Sequence, residues 1–211
     1  MCTSITFQSA DHYFGRNLDL EFSYNETVTV TPRNFPFPFR HVDDIDSHYA
    51  IIGMAFVSDG YPLYYDGTNE KGLSMAGLNF PENCHFFPLR NEESVDDIAS
   101  FEFIPWILGQ CATVKEARAL LDHINICDTK FSEQLPPNPL HWMIDDGTEC
   151  IVVEQLADGL HVHDNQVDVL TNNPPFDMQM IHLANYEGLS AKAPTNRFAP
   201  GVDLDQYSRG M

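Results

Sequence analysis

The sequence predicts an α+β fold whose strands and helices lie in separate layers. Strand-like runs of alternating or β-branched residues fill the first part of the chain. Ser94–Ile124 then changes from a period of two to a helical period of about 3.6, and further strand-like runs and a final helical segment follow. This order of strands, helix pair, strands and helix favours a layered α+β arrangement.

The first part of the chain contains an opening hairpin and four more strand-like runs. Thr27–Thr31 is the most strongly β-branched of them, and Pro32 ends it. Asp59–Pro62 and Asn69–Gly72 carry turn residues between later runs. The predicted strands are Thr3–Gln8, Tyr13–Leu18, Thr27–Thr31, Ala50–Val57, Leu63–Asp66 and Leu73–Leu78.

The helical segment predicts two helices with a short break between them. Ser100 is a candidate N-cap for Phe101–Gln110, and Pro105 lies early enough in that helix to be tolerated. Thr113 and Glu116 form a capping-box pattern before a second helix that extends to Ile124. After a loop, the sequence predicts strands at His141–Ile144, Cys150–Gln155, Leu160–Val162 and Val167–Thr171, and a helix at Met178–Tyr186.

Length and charge restrict the class of protein. The 211 residues, 43% of them hydrophobic, are enough for one domain with a sizeable core. The net charge of -20 argues against nucleic-acid binding, which depends on Lys and Arg neutralising phosphates. It also disfavours docking to an anionic membrane surface and is better explained as a contribution to solubility.

The cysteines do not form a metal-site or disulfide pattern. There are five, at wide spacing and without a CxxC pair, so no zinc site or disulfide framework is expected. Apart from Cys2, they are interpreted as incidental thiols in a reducing compartment. Only Met1 precedes Cys2, and no apolar run reaches the length of a transmembrane helix, so a cytoplasmic location is expected.

Cys2 is the first candidate catalytic residue. Removal of Met1 would leave a thiol and a free amine on the same residue, and such an amine can act as the base for its own side chain. The predicted hairpin can bring Arg16 close to the thiol, where a guanidinium favours the thiolate. Asp19 is expected to accept a hydrogen bond from the amine of Cys2 and fix its direction.

Two asparagines are candidates for holding an oxyanion. Asn79 follows a strand with a glycine at position 77, and Asn172 ends a strand before Asn173-Pro174. Asparagine side chains suit such a site, but asparagine beside a turn or proline is more often a turn former. His141, His161 and His163 suggest metal binding only weakly, because a third ligand with a carboxylate pattern is missing. They are interpreted as solvent-facing.

Several uncommon strings resemble one known family along nearly the whole chain. The opening through Tyr24 is similar to the start of the choloylglycine hydrolases, which include conjugated bile salt hydrolases and penicillin V acylases. Met75–Pro81 and Leu170–Pro174 resemble the family segments that hold its two catalytic asparagines. Further similar strings, in the same order, are Asn69–Leu73, Leu140–Ile144 and Val152–Gln155.

The resemblance implies a fold and a reaction. The fold is the four-layer αββα arrangement of N-terminal nucleophile (Ntn) hydrolases, and the reaction is amide hydrolysis by Cys2 with Arg16, Asp19, Asn79 and Asn172, without a cofactor. Penicillin acylases typically hold a tyrosine at the position of Asn79, so the resemblance favours conjugated bile acids as substrates. Two alternatives remain. The substrate is penicillin V or another N-acyl amide, or the chain is non-catalytic and binds amphiphiles or self-associates.

The resemblance also suggests a substrate pocket and an assembly. A sterol pocket is expected from apolar and aromatic loop residues, namely Leu18, Tyr24, Phe56, Tyr65, Phe131 and Leu135. The family tends to form tetramers, so a homo-oligomer is expected. Family members commonly exceed three hundred residues and hold a catalytic arginine beyond position 211, so the sequence is interpreted as one Ntn domain, residues 1–211, that lacks its C-terminal part. Arg209 is not assigned that role.

Overall fold

The computed structural model describes residues 1–45, 47–187 and 200–201. Within these ranges the chain forms thirteen strands and three helices. The strands are β1 (Thr3–Gln8), β2 (His12–Asn17), β3 (Thr27–Thr31), β4 (Ile51–Ser58), β5 (Tyr61–Tyr64), β6 (Asp66–Asn69), β7 (Ser74–Asn79), β8 (Asp96–Ala99), β9 (Ile124–Cys127), β10 (Leu140–Asp145), β11 (Cys150–Leu156), β12 (Gly159–Asp164) and β13 (Val169–Leu170). The helices are α1 (Phe103–Gln110), α2 (Val114–Leu121) and α3 (Phe176–Ala184).

Most strands of the described region join one large antiparallel sheet. Its order is β12-β11-β10-β7-β6-β4-β3, and β5 pairs with the free part of β4, so that eight strands take part. A second sheet has the order β13-β1-β2, in which the opening hairpin pairs with the chain just before Asn172. This pairing brings the start of the chain next to residue 170, a contact that hairpin patterns alone do not reveal.

Side chains on the two faces of the large sheet enter two different cores. Met75, Trp142 and Ile144 point into the larger core, which helices α1 and α2 cover. Their strand neighbours Ala76 and Met143 point the other way, into a smaller core that also contains Cys2, Leu170 and Phe176. Because successive residues of a strand point to opposite faces, the sheet is buried on both sides, which gives a helix–sheet–sheet order of layers.

The predicted helix pair is present but shorter than expected. Helix α1 begins at Phe103 after Glu102, so the predicted cap at Ser100 was wrong, and Pro105 lies in the first turn. The N-cap at Thr113 is confirmed, because its side chain accepts a hydrogen bond from the backbone N–H of Glu116 at 3.2 Å. The carboxylate of Glu116 accepts from Ala112 rather than completing the capping box.

The ends of the helical segment are strands. Asp96–Ala99 and Ile124–Cys127 pair in parallel as β8 and β9, where the sequence pattern predicted helix and loop. Both strands are too short to show a period of two, and their pairing spans the whole helix pair. Most other predicted strands are confirmed with small shifts at their ends. The predicted strand Leu63–Asp66 is instead divided between β5 and β6, and Tyr61, Pro62 and Asn69, where turns had been predicted, lie in these two strands. None of the helices in the described ranges has the length and hydropathy needed to cross a membrane.

Candidate active site

The β1–β2 hairpin places Cys2 at the edge of the smaller core. Thr3 pairs with Asn17 and Ser4 with Arg16, so both β2 residues lie beside the start of the chain. The side chain of Asn17 accepts from the N–H of Thr3 at 2.6 Å and donates to the carbonyl of Met1 at 3.3 Å. Asn17 therefore holds the backbone on both sides of Cys2, a role that the sequence analysis missed.

Cys2 and Arg16 are in contact. Cys2 is 5% exposed, and Nη2 of Arg16 lies 3.8 Å from its Sγ atom. The Arg16 side chain is only 4% exposed, and the same Nη2 atom donates to the carbonyl of Gly77 at 2.8 Å. The guanidinium is therefore buried beside the sulfur and held in place by the carbonyl of Gly77.

Asp66 compensates the charge of Arg16. Its Oδ2 atom lies 3.2 Å from Nη1 of Arg16, and its Oδ1 atom accepts from the backbone N–H of Met54 at 3.1 Å. The ring of Tyr65 lies on another side of the guanidinium, 5.9 Å from its centre. The sequence predicted Asp66 only as the last residue of a strand, and its contact with Arg16, 50 positions away, leaves no local signal.

Gly53 makes room for this arrangement. A Cβ atom at position 53 would lie 2.0 Å from the carbonyl oxygen of Asp66 and 2.7 Å from Cα of Gly67. Strands β4 and β6 can therefore approach this closely only with glycine at that position. The close approach fixes the backbone of Asp66 and, through its carboxylate, the direction of Arg16.

The two predicted asparagines form a hydrogen-bonded chain with Cys2. The backbone N–H of Cys2 donates to Oδ1 of Asn172 at 2.7 Å. The Nδ2 atom of Asn172 donates in turn to the carbonyl of Asn79 at 2.6 Å. Asn79 lies at the exposed end of β7, opposite Leu140. The structure therefore brings together residues 2, 79 and 172, which are far apart in the sequence.

Asp19 also lies beside the start of the chain, but it contacts a different nitrogen from the one expected. Its half-exposed carboxylate binds the ammonium group of Met1. The nitrogen of Cys2 donates to Asn172 instead. The ion pair between Met1 and Asp19 raises the pKa of the Met1 amine, mainly through the hydrogen bond to Asp19. In the chain that retains Met1, the contact expected between Asp19 and Cys2 is therefore replaced by one with the residue before it.

One of the three histidines, His141, does not face solvent as expected. His141 is fully buried, so the solvent-facing interpretation was wrong for this residue; its Nδ1 atom lies 2.8 Å from the buried carboxylate of Glu154. His161 and His163 stack on the surface of β12 with centroids 6.0 Å apart. Within the described residues no group of three or more His, Cys, Asp or Glu side chains could hold a metal ion.

The six residues expected to line a sterol pocket lie in different surroundings. The ring of Tyr65 lies 5.9 Å from the guanidinium of Arg16. Leu18 is half-buried and follows Arg16 closely in the sequence. Phe131 packs with Tyr61 and Phe101 against the larger core, and the backbone of Leu135 bonds to Phe131. Tyr24 is exposed and packs on Phe22, and Phe56 is opposite Leu63 in the sheet. Their role in substrate binding stays a prediction.

A small cavity opens beside Arg16. Its volume is about 130 Å³, and it is lined by Phe14, Gly15, Arg16, Ile52, Asp66, Gly67 and Thr68. Pockets for drug-sized ligands usually enclose roughly 300–1,000 Å³. The cavity can therefore admit a small polar group next to the guanidinium but not a sterol ring system, and none of the six expected pocket residues lines it.

The layered fold defines the class of the protein, because it is that of the N-terminal nucleophile hydrolases. Over 91% of this chain it matches the C2A mutant of the conjugated bile acid hydrolase from Clostridium perfringens, with a TM-score of 0.83 and 38% identity, and the match covers 59% of that chain. The penicillin V acylase from Agrobacterium tumefaciens shares the fold at a TM-score of 0.69 and 21% identity, over 88% of this chain and 56% of that one.

The sequence places the chain within this class more narrowly. Residues 2–211 match the family model of the linear amide C-N hydrolases, choloylglycine hydrolase family, and the chain belongs to that family. It is 51% identical over its whole length to the bile salt hydrolase/transferase of Lactiplantibacillus plantarum, of which it covers 64%. It is 38% identical to the conjugated bile acid hydrolase of Lactobacillus gasseri and covers 67% of that protein. The chain thus spans about two thirds of the length of these relatives.

Proposed function

We propose that this protein hydrolyses linear amides with the thiolate of Cys2 as nucleophile, once Met1 has been removed. The observation that carries the proposal is the position of Cys2. Its Sγ atom lies 3.8 Å from a buried guanidinium nitrogen, and its backbone nitrogen donates to Asn172 at 2.7 Å. Met1 is 90% exposed, and its removal would break its own contacts with Asp19 and Asn17. The contacts of Cys2 with Arg16 and Asn172 do not involve Met1, and the nitrogen of Cys2 would become an amine.

The proposed reaction has two halves. In the first, the thiolate sulfur forms a bond to the amide carbonyl carbon, and the carbonyl oxygen becomes an oxyanion. The ammonium group of Cys2 then gives a proton to the leaving nitrogen, the carbon–nitrogen bond breaks, and a thioester remains. In the second, the amine takes a proton from water, hydroxide adds to the thioester, and the carbon–sulfur bond breaks to release the carboxylic acid and the thiolate.

The surrounding residues have separate tasks in this proposal. Arg16 favours the thiolate, and Asp66 and the carbonyl of Gly77 hold the guanidinium in place. Asn172 orients the amine of Cys2 through Oδ1, and its remaining amide N–H is available to the oxyanion together with the amide of Asn79. Asp19, which now binds the Met1 ammonium, is close enough to the start of the chain to stabilise the new amine.

Conjugated bile acids are the substrates we propose. The support is the names of the relatives, which are bile salt hydrolase/transferases and conjugated bile acid hydrolases at 38–51% identity. In the same scheme, an amino acid amine in place of water would attack the thioester and give transfer. We also propose that residues 1–211 belong to a single domain, with a cytoplasmic location and a homo-oligomeric state.

Replacement of the sulfur tests the proposal directly. We expect Cys2→Ser in the full-length protein to lose at least a hundredfold in the rate of glycocholate and taurocholate hydrolysis, with folding unchanged. Cys84→Ser is the matched control, since burial raises the pKa of that thiol to about 11 and keeps it protonated. Retained hydrolysis by Cys2→Ser would refute the nucleophile. Hydrolysis of penicillin V but not of bile acid conjugates would refute the substrate and leave the nucleophile standing.

A further inference from the structure

A buried histidine–carboxylate pair lies next to the two chain segments that carry the candidate oxyanion asparagines. His141 on β10 and Glu154 on β11 are both fully buried, with Nδ1 and Oε1 2.8 Å apart. We infer that this pair is a positioning pair that holds Asn79 and Asn172 in place for the reaction. The inference rests on the proposed function and adds two residues to it that touch neither the sulfur nor the nitrogen of Cys2.

The imidazole of His141 holds the residue before Asn172. Its Nε2 atom lies 2.7 Å from the carbonyl oxygen of Thr171, while Nδ1 faces the carboxylate of Glu154. Both neighbours are hydrogen-bond acceptors, so each ring nitrogen faces one acceptor, and the two contacts together fix the orientation of the ring.

The same ring also holds the residue after Asn79. The side chain of Phe80 stacks on His141 with centroids 4.1 Å apart and an interplanar angle of 6°. Strands β10 and β7 are neighbours in the sheet, and His141 on β10 is opposite Leu78 on β7. One side chain thus contacts residue 80 by stacking and residue 171 by a hydrogen bond, and each of these is adjacent to one of the asparagines.

Glu154 fixes the other end of the Asn172 segment. Both of its oxygens lie 3.1 Å from the backbone N–H of Phe176, at the start of α3. In that helix, Nε2 of Gln179 donates to the carbonyl of Asn172 at 2.7 Å. The segment from Thr171 to Phe176 is therefore held at both ends by one ion pair, and α3 transmits the second constraint back to Asn172.

Glu154 keeps its charge at neutral pH. Burial alone would raise its pKa, but the hydrogen bonds from His141 and from the backbone N–H of Phe176, together with the nearby imidazole of His163, lower the pKa to about 2. His163 lies on the neighbouring strand, with Nε2 3.6 Å from the carboxylate. A buried ion pair can often be replaced by apolar residues without loss of stability. Packing by itself therefore does not require charged residues here, whereas holding a carbonyl and an N–H does.

Two substitutions in the full-length protein test the inference. Glu154→Gln keeps the shape and removes the charge, so the charge-assisted hydrogen bonds to His141 and to the backbone N–H of Phe176 are weakened. His141→Phe keeps the stacking on Phe80 and removes both donors. A displacement of about 1 Å at a catalytic group can cost on the order of a hundredfold in rate. We expect kcat for glycocholate to fall roughly 10- to 100-fold in each variant, with KM changed less than about threefold.

The matched control is His48→Phe. His48 is also buried, with ring nitrogens 2.6 Å and 2.8 Å from the carbonyls of Tyr49 and Phe35, but it lies away from both asparagines. We expect it to retain kcat. Alkylation of Cys2 by iodoacetamide should be unchanged in all three variants. The double variant Glu154→Gln/His141→Phe should lose no more kcat than the more strongly affected single variant, because the pair acts as a unit.

The possible outcomes separate this inference from the proposed function. If Cys2→Ser is inactive but Glu154→Gln and His141→Phe keep kcat within about threefold, the positioning role is wrong and the nucleophile stands. If kcat and the alkylatable fraction of Cys2 fall in parallel, the pair is merely structural and the inference fails. If Cys2→Ser remains active, the proposed function itself fails. Should His141→Phe not fold, the isosteric Glu154→Gln decides.

Discussion

Nη2 of Arg16 is shared between the sulfur of Cys2, at 3.8 Å, and the carbonyl oxygen of Gly77, at 2.8 Å. The hydrogen bond to Gly77 ties the guanidinium to β7, the strand that ends in Asn79. Arg16 therefore links the candidate nucleophile to the strand that carries a candidate oxyanion residue. This connection makes the separation of sulfur and oxyanion donors a property of the sheet rather than of a flexible loop.

Loss of the guanidinium should make Cys2 less reactive. For Arg16→Met we expect alkylation of Cys2 by iodoacetamide at pH 7 to slow about tenfold, because the neighbouring cation that favours the thiolate is gone. Stopped-time mass spectrometry of the labelled chain measures the rate. Arg33→Met, which removes a surface ion pair with Glu70, serves as the control and should leave the rate unchanged. Equal rates in the two variants would contradict the role of Arg16.

The amide donor of Asn172 should matter more than its acceptor. Asn172→Asp retains an oxygen for the nitrogen of Cys2 but removes the Nδ2 donor. Loss of an oxyanion donor typically costs 10²–10³-fold in kcat, and we expect a fall of roughly that size for glycocholate hydrolysis. Asn173→Asp changes the neighbouring residue, whose Nδ2 donates to Pro81 at 2.9 Å, and should cost less than about fivefold. Similar kinetics for both variants would exclude an oxyanion role.

Strands β4 and β6 should not tolerate a side chain at Gly53. Because Cβ would overlap the carbonyl oxygen of Asp66 at 2.0 Å, Gly53→Ala should lower the free energy of unfolding by about 3 kcal/mol. Gly15→Ala is a suitable control, since a Cβ there meets nothing within 4 Å. Urea unfolding followed by circular dichroism compares the two. A Gly53→Ala protein as stable as Gly15→Ala would mean that the two strands do not approach in this way.

Glu102 should make stability depend on pH. Burial raises its pKa from 4.5 to about 7, although its oxygens accept backbone hydrogen bonds from Arg40 and Ala99 at 2.8 and 3.2 Å. Between these values the folded chain holds a proton that the unfolded chain has released. The contribution of Glu102 is therefore fully present below pH 4.5 and is lost as pH rises through about 7.

Glu102→Gln should remove this component. The difference in unfolding free energy between pH 5 and pH 8 is expected to be smaller in the variant than in the parent, on a scale of about 1.4 kcal/mol per unit of pKa shift. Urea titrations at both pH values measure it. Glu133→Gln, at a surface position, is the control. An unchanged pH dependence in Glu102→Gln would show that the carboxyl is ionised in the folded protein throughout this range.

Local patterns in the sequence predicted the elements well where the pattern was long. Strand β3, at Thr27–Thr31, and the N-cap at Thr113 have the predicted positions because β-branching and capping act within a few residues. Strands β8 and β9 were missed, since four-residue strands that pair across a helical hairpin leave no local signal. The catalytic residues were predicted from their chemistry and position together with motif resemblance, and the structure gathers Cys2, Arg16, Asn79 and Asn172 in one place.

The sequence alone determined which chemical groups are available: a cysteine at position 2, an arginine within the hairpin, an aspartate just after it, and two asparagines at strand ends. Only the tertiary structure decided what surrounds them. Asp66 reaches Arg16 across 50 positions, Asn172 reaches Cys2 across 170, and His141 reaches Thr171 across 30. Such contacts depend on the order of strands in the sheets and on the burial of both faces, and a side chain's nearest neighbours in sequence carry no information about either.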